Sequence, residues 1–75
     1  MKGSTRAMAQ RIVQAEREFV ASVMALGDLD QTQAEKVFSL YRTHKAVKLS
    51  VGSGVYTVKH GALLDRAVLR KNAGL

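Results

Sequence analysis

The residues best placed to do chemistry are cations. Arg42, Lys45, Lys48, Lys59, Arg66, Arg70 and Lys71 all follow Tyr41, and in that stretch only Asp65 opposes them. Of the formal net charge of +6, residues 1–27 contribute +2, residues 28–41 contribute −2 and residues 42–75 contribute +6. Charge gathered in one part of a small chain attracts polyanions, either the phosphates of nucleic acid or an acidic protein surface. The same excess also serves solubility, so charge alone selects a class of partner without naming one.

Other chemistries find little support. His44 and His60 have no carboxylate or thiolate at ligand spacing, and there is no cysteine, so neither a metal site nor a disulfide is expected. Ser50 and Ser53 have no evident base. Gly52-Ser53-Gly54 lacks the lysine and the following helix of a phosphate-binding loop and reads as a turn. No nucleophile, base and orienting group can be named together, so the chain reads as a non-enzyme without cofactor.

The element that must carry Lys48 and Lys59 is a hairpin. Alternation puts Val47, Leu49 and Val51 on one face and Lys48 and Ser50 on the other. In the second run Tyr56, Val58 and His60 oppose Val55, Thr57 and Lys59. With Gly52 and Ser53 at the centre of a tight turn, Val51 pairs with Gly54, Leu49 with Tyr56 and Val47 with Val58. The large apolar groups then share the inner side, and both lysines face out.

Helices surround this hairpin. Ser4 or Thr5 can cap a first helix reaching about Leu26, with Met8, Ile12, Ala15, Phe19, Val23 and Leu26 in one row and Gly27 as its stop. A second row, Val13, Val20 and Met24, makes the stripe wider than one neighbour needs. Either this helix is clasped from two sides, or these three form the candidate protein interface, with a homodimer as one outcome. A second helix starts with a capping box, either Asp30 with Gln33 or Thr32 with Glu35, and buries Ala34, Val37, Phe38 and Tyr41 before fraying near His44. If Asp30 is the cap, Leu29 can staple onto Ala34. A last helix starts at Ala62 or Asp65, with Leu63, Leu64, Ala67 and Val68 on its apolar face, Arg66, Arg70 and Lys71 on its polar side, and an end before Gly74.

The expected fold is therefore a single small α+β domain over residues 1–75, helix-helix-β-hairpin-helix, with residues 1–4 disordered. It is winged-helix-like without a standard helix-turn-helix. The first helix is too long for the supporting helix of that motif, and the second opens with Asp28, Asp30 and Glu35, which would repel phosphate. Phe19, Phe38, Tyr41 and Tyr56 fall where a core wants them, leaving no surplus rings for stacking bases. No apolar run approaches the roughly 20 residues of a membrane span, and the start lacks the apolar core of a signal peptide, so no membrane partner and a cytoplasmic location are expected.

The run Gln33-Ala-Glu-Lys-Val-Phe-Ser-Leu-Tyr-Arg42, followed by Lys45-Ala-Val-Lys-Leu49 and the stretch from Tyr56 to Leu69, resembles small accessory proteins encoded by bacteriophages and prophages. The resemblance covers residues 30–70. It implies a product that binds a host or phage macromolecule in a bacterial cytoplasm. Some proteins of this size and order are similar to anti-CRISPR inhibitors, which jam a nucleic-acid-handling complex. DNA-mimicking members are strongly acidic and this chain is basic, so the resemblance implies obstruction by shape rather than charge mimicry, and it transfers no functional residue.

Two functions follow as expectations. The first is a basic binding module that contacts nucleic acid through the hairpin and last helix. The alternative is an inhibitor of a host protein or ribonucleoprotein complex.

Overall fold

The structure, a computed structural model, describes residues 2–50, 52 and 54–75. Its order is α1 (Lys2–Gly27), α2 (Gln31–Thr43), β1 (Val47–Ser50), β2 (Val55–Val58), a 3-10 turn (Gly61–Leu64) and α3 (Arg66–Asn72). It is α+β, with a two-stranded antiparallel hairpin between the second and third helices. The expected pairing Val51 to Gly54 and the role of Ser53 lie outside the described residues.

α1 dominates the shape. Its 26 residues make a rod of about 39 Å at 1.5 Å per residue, close to the longest dimension of 44 Å. It is described from Lys2 onward. Only the middle of the expected apolar row is covered: Ala15, Phe19 and Val23 are buried, whereas Met8, Ile12 and Leu26 are 57%, 36% and 47% exposed. Periodicity identified the helix correctly and overstated how much of it the body covers, because α2, the hairpin and α3 are each much shorter than α1.

Gly27 serves packing as well as ending the helix. A Cβ there would lie 3.0 Å from two carbons of Leu29 and 3.1 Å from Leu69 Cβ, so those side chains would have to give by a few tenths of an ångström. The left-handed residue is Asp28, with φ 53°, and the Leu29 N–H donates to the Met24 carbonyl at 3.0 Å. This is the Schellman closure, six residues back to one. It recurs at the end of α2, where Lys45 has φ 55° and the Ala46 N–H donates to Tyr41 O. At the end of α3 Gly74 has φ 89° and the Leu75 N–H donates to Arg70 O. All three helices stop the same way, and only the last uses glycine.

α2 begins with the Asp30 capping box. The Gln33 N–H donates to Asp30 Oδ1 at 2.8 Å and the Asp30 N–H donates to Gln33 Oε1 at 3.1 Å. Leu29 and Ala34, on either side of that cap, are both buried in the core. The helix buries Ala34, Val37, Phe38 and Tyr41 as its spacing requires.

The hairpin pairs Val47 with Val58, Lys48 with Thr57, Leu49 with Tyr56 and Ser50 with Val55, the register that puts Tyr56 and Val58 inward. Tyr56 stands edge-on to Phe38, ring centres 5.1 Å apart, and to Phe19 at 6.2 Å, so one aromatic cluster joins hairpin, α1 and α2. β2 ends at Val58, and His60 is therefore exposed at the strand end instead of continuing the inner face.

The last helix takes the second of the two starts read from the sequence and departs from that reading in the face it buries. Asp65 is its cap, accepting from the Ala67 N–H at 2.9 Å, and Gly61–Leu64 form the separate 3-10 turn. The buried residues of this segment are Leu69 and Ala73, Leu69 completely, while Ala67 is exposed. The turn resets the helical phase, so Leu63 and Leu64 pack on the core from a different element than Leu69 does.

Candidate polyanion-binding surface

The hairpin's outer face is built by alternation. Lys48 and Ser50 on β1 stand beside Val55 and Thr57 on β2, all turned away from the aromatic cluster. The Lys59 N–H donates to Ala46 O at 2.9 Å, which extends the pairing past the strands and places Lys59 diagonally across from Lys48. Such diagonal neighbours sit about 7–8 Å apart. That spacing suits contacts to successive phosphates or carboxylates. Lys48, Thr57 and Lys59 are exposed, and the Thr57 hydroxyl approaches Lys48 O at 3.4 Å.

More positive charge gathers at the hairpin base. Lys45 occupies the left-handed position after α2 and is exposed, with His44 before it. Because Ala46 faces Lys59, Lys45 and His60 lie on opposite sides of the same base. Arg42, one turn back on α2, places its guanidinium carbon 5.7 Å from the Phe38 ring centre, and its Nη1 is 3.2 Å from Glu16 Oε1. That pair is largely solvated, with the Arg42 side chain 58% exposed, so it orients Arg42 more than it neutralises it.

The remaining candidates are not part of this group. Arg70 Nη1 donates to Gly27 O at 3.1 Å and Asp28 O at 2.9 Å, completing the carbonyl end of α1. Arg66 Nη2 lies 3.5 Å from Asp28 Oδ2. Both arginines therefore hold the α1–α2 turn from α3, at the N-terminal end of α2. The hairpin base is at the other end of that helix, about 20 Å away for its 13 residues. Lys71 is exposed on α3. The seven cations read from the sequence thus divide into a hairpin group (Arg42, Lys45, Lys48, Lys59), a clamp (Arg66, Arg70) and Lys71.

Among the described residues Lys45, Lys48, Lys59 and Lys71 form no ion pair, since the salt bridges there engage only Arg42 and Arg66. Among those same residues no three His, Asp or Glu side chains are arranged to hold a metal ion. Ser50 and Thr57, which flank the lysines with hydroxyls, were legible from the same alternation that placed the lysines, but charge alone does not draw attention to them.

The interface candidates are placed unevenly. Val20 and Met24 are half-buried against the core, while Val13 is 46% exposed. Together with Glu16 and Glu35 they line a groove between α1 and α2. No described helix is long and apolar enough to cross a membrane. Comparison with family models, curated proteins and solved structures gave no match.

Proposed function

We propose that the chain is a non-enzymatic binding module of the phage accessory type, acting in a bacterial cytoplasm, that grips nucleic acid with the outer face and base of its hairpin. Lys48 and Lys59 make the primary phosphate contacts, Lys45 and Arg42 extend them, and the hydroxyls of Ser50 and Thr57 add hydrogen bonds to phosphate oxygens. The observation that carries this reading is the diagonal placement of Lys48 and Lys59, turned away from the core and without a carboxylate partner among the described residues. Arg66 and Arg70, bound at the α1–α2 turn, act on stability instead.

Fluorescence anisotropy with duplex DNA, single-stranded DNA and RNA in low salt tests it. Binding is expected, with strong loss on Lys48→Glu with Lys59→Glu. No binding to any of the three, or unchanged binding by the double variant, overturns the reading.

A second reading, an inhibitor of a host protein complex, is favoured by Val55. It lies on the outer face opposite Ser50, is apolar, and is 42% exposed. An apolar residue beside Ser50 and Thr57 and diagonal to Lys48 suits an acidic protein surface better than a sugar-phosphate backbone. Pull-down from nuclease-treated host lysate separates the two: a stoichiometric protein partner that survives nuclease supports the inhibitor.

A further inference from the structure

Val55 is the outer-face residue of the hairpin that phosphate binding leaves without a role. It pairs with Ser50 in the last rung of the ladder before the turn, is exposed, and sits diagonal to Lys48. The hairpin is also graded in charge. Residues 49–58 carry none, whereas Arg42, Lys45 and Lys59 gather at the base and Lys48 lies one rung in. The turn is slender and stands clear of the body: a Cβ built on Gly52 or Gly54 would meet nothing within 4 Å. Along β2, Val55 lies four residues before Lys59, about 13 Å nearer the tip at about 3.3 Å per residue.

B-form DNA offers a receptor graded in the same sense. Phosphates line the rim of its major groove, and the groove, about 12 Å wide and about 8.5 Å deep, admits a two-stranded ribbon. Among the base edges on its floor, thymine presents an apolar group, the C5 methyl. We propose that the tip of the hairpin enters the major groove of duplex DNA and sets Val55 against a thymine methyl, while Lys48 and Lys59 stay on the phosphates. The reach of about 13 Å from Lys59 to Val55 exceeds the depth of the groove, so a hairpin held at the rim by Lys59 brings Val55 to the base edges. The uncharged, glycine-containing turn passes between the two backbones without a bulky side chain at Gly52 or Gly54. This contact presupposes nucleic-acid binding by the hairpin and narrows the ligand class to thymine-containing duplex DNA. Double-stranded RNA does not fit, because side chains cannot read its deep, narrow major groove and its uracil lacks the methyl.

Fluorescence anisotropy in low salt tests this with two labelled duplexes, one of alternating adenine and thymine, the other with deoxyuridine in place of every thymine. Their phosphates are the same and only the methyl differs. The wild-type chain is expected to bind the thymine duplex about fourfold more tightly for each methyl it covers, the effect of burying one such group. Val55→Ser is expected to bind both duplexes as the wild type binds the deoxyuridine one, and Val55→Ile to keep the preference. Equal binding of the two duplexes by the wild-type chain, a preference that survives in Val55→Ser, or tighter binding to double-stranded RNA overturns the methyl contact and leaves phosphate binding by the lysines standing. Failure to bind any nucleic acid overturns both.

Discussion

Tyr41 donates its phenolic hydrogen to the carbonyl of Leu63 at 2.7 Å, and Asn72 Nδ2 donates to the same phenolic oxygen at 3.0 Å. One buried hydroxyl thus ties α2 to the 3-10 turn after the hairpin and to the end of α3. Nothing else in the chain joins three elements through one polar atom among the described residues.

Tyr41→Phe keeps the ring and removes this junction. Leu63 O and Asn72 Nδ2 lose their partner in a place water reaches poorly, so the variant is expected to lose about 1–3 kcal/mol of stability. Urea unfolding checks this, and the unfolding slope should not change.

Leu69 is the completely buried residue of α3. Leu69→Ala is expected to cost about 2–5 kcal/mol by leaving a cavity, a large share of what so small a domain has. Ala67→Ser, two residues earlier and exposed, is expected to stay within about 0.5 kcal/mol. Thermal unfolding of the two variants side by side distinguishes this helix phase from the one that Leu63, Leu64, Ala67 and Val68 suggest.

Lys45 takes a left-handed conformation that costs an L-residue about 1–2 kcal/mol. Lys45→Gly relieves it but adds entropy to the unfolded chain, so a net gain of about 0.5–1 kcal/mol is expected. The same change removes a cation from the hairpin base and should weaken nucleic-acid binding. Stability and affinity moving in opposite directions is the expected signature.

Glu16 is the carboxylate nearest the hairpin group. Glu16→Gln is expected to change stability by less than about 0.5 kcal/mol, because its pair with Arg42 is solvated. It should strengthen binding to polyanions by removing a negative charge beside Arg42, which titration against a labelled duplex would measure.

Much of this fold is legible residue by residue. Asp30 and Gln33 announce their capping box by spacing alone, and the parity of Leu49, Tyr56 and Val58 fixes which side of the hairpin carries Lys48 and Lys59. What stays hidden depends on tertiary contact. Asp28 and Lys45 give no compositional sign of positive φ, since only the Schellman bonds to Met24 and Tyr41 require it. The apolar row through Met8 and Ile12 shows a helix but not where its neighbours stop. Leu69 escapes because the cap at Asp65 restarts the period. Arg66 and Arg70 look like surface cations until Asp28, some forty residues earlier, is seen beside them. For the candidate site, then, the sequence marks the cations and the fold sorts them.

The salt dependence of binding to duplex DNA tests the central claim most directly. The logarithm of the association constant should fall linearly with the logarithm of salt concentration, by a slope of about 0.9 for each phosphate engaged. Replacing Lys48 and Lys59 together by glutamine should reduce that slope by about 2, while Arg66→Gln should leave it nearly unchanged. A slope that the Lys48 and Lys59 replacements do not alter would contradict the assignment of the hairpin's outer face as the contact surface.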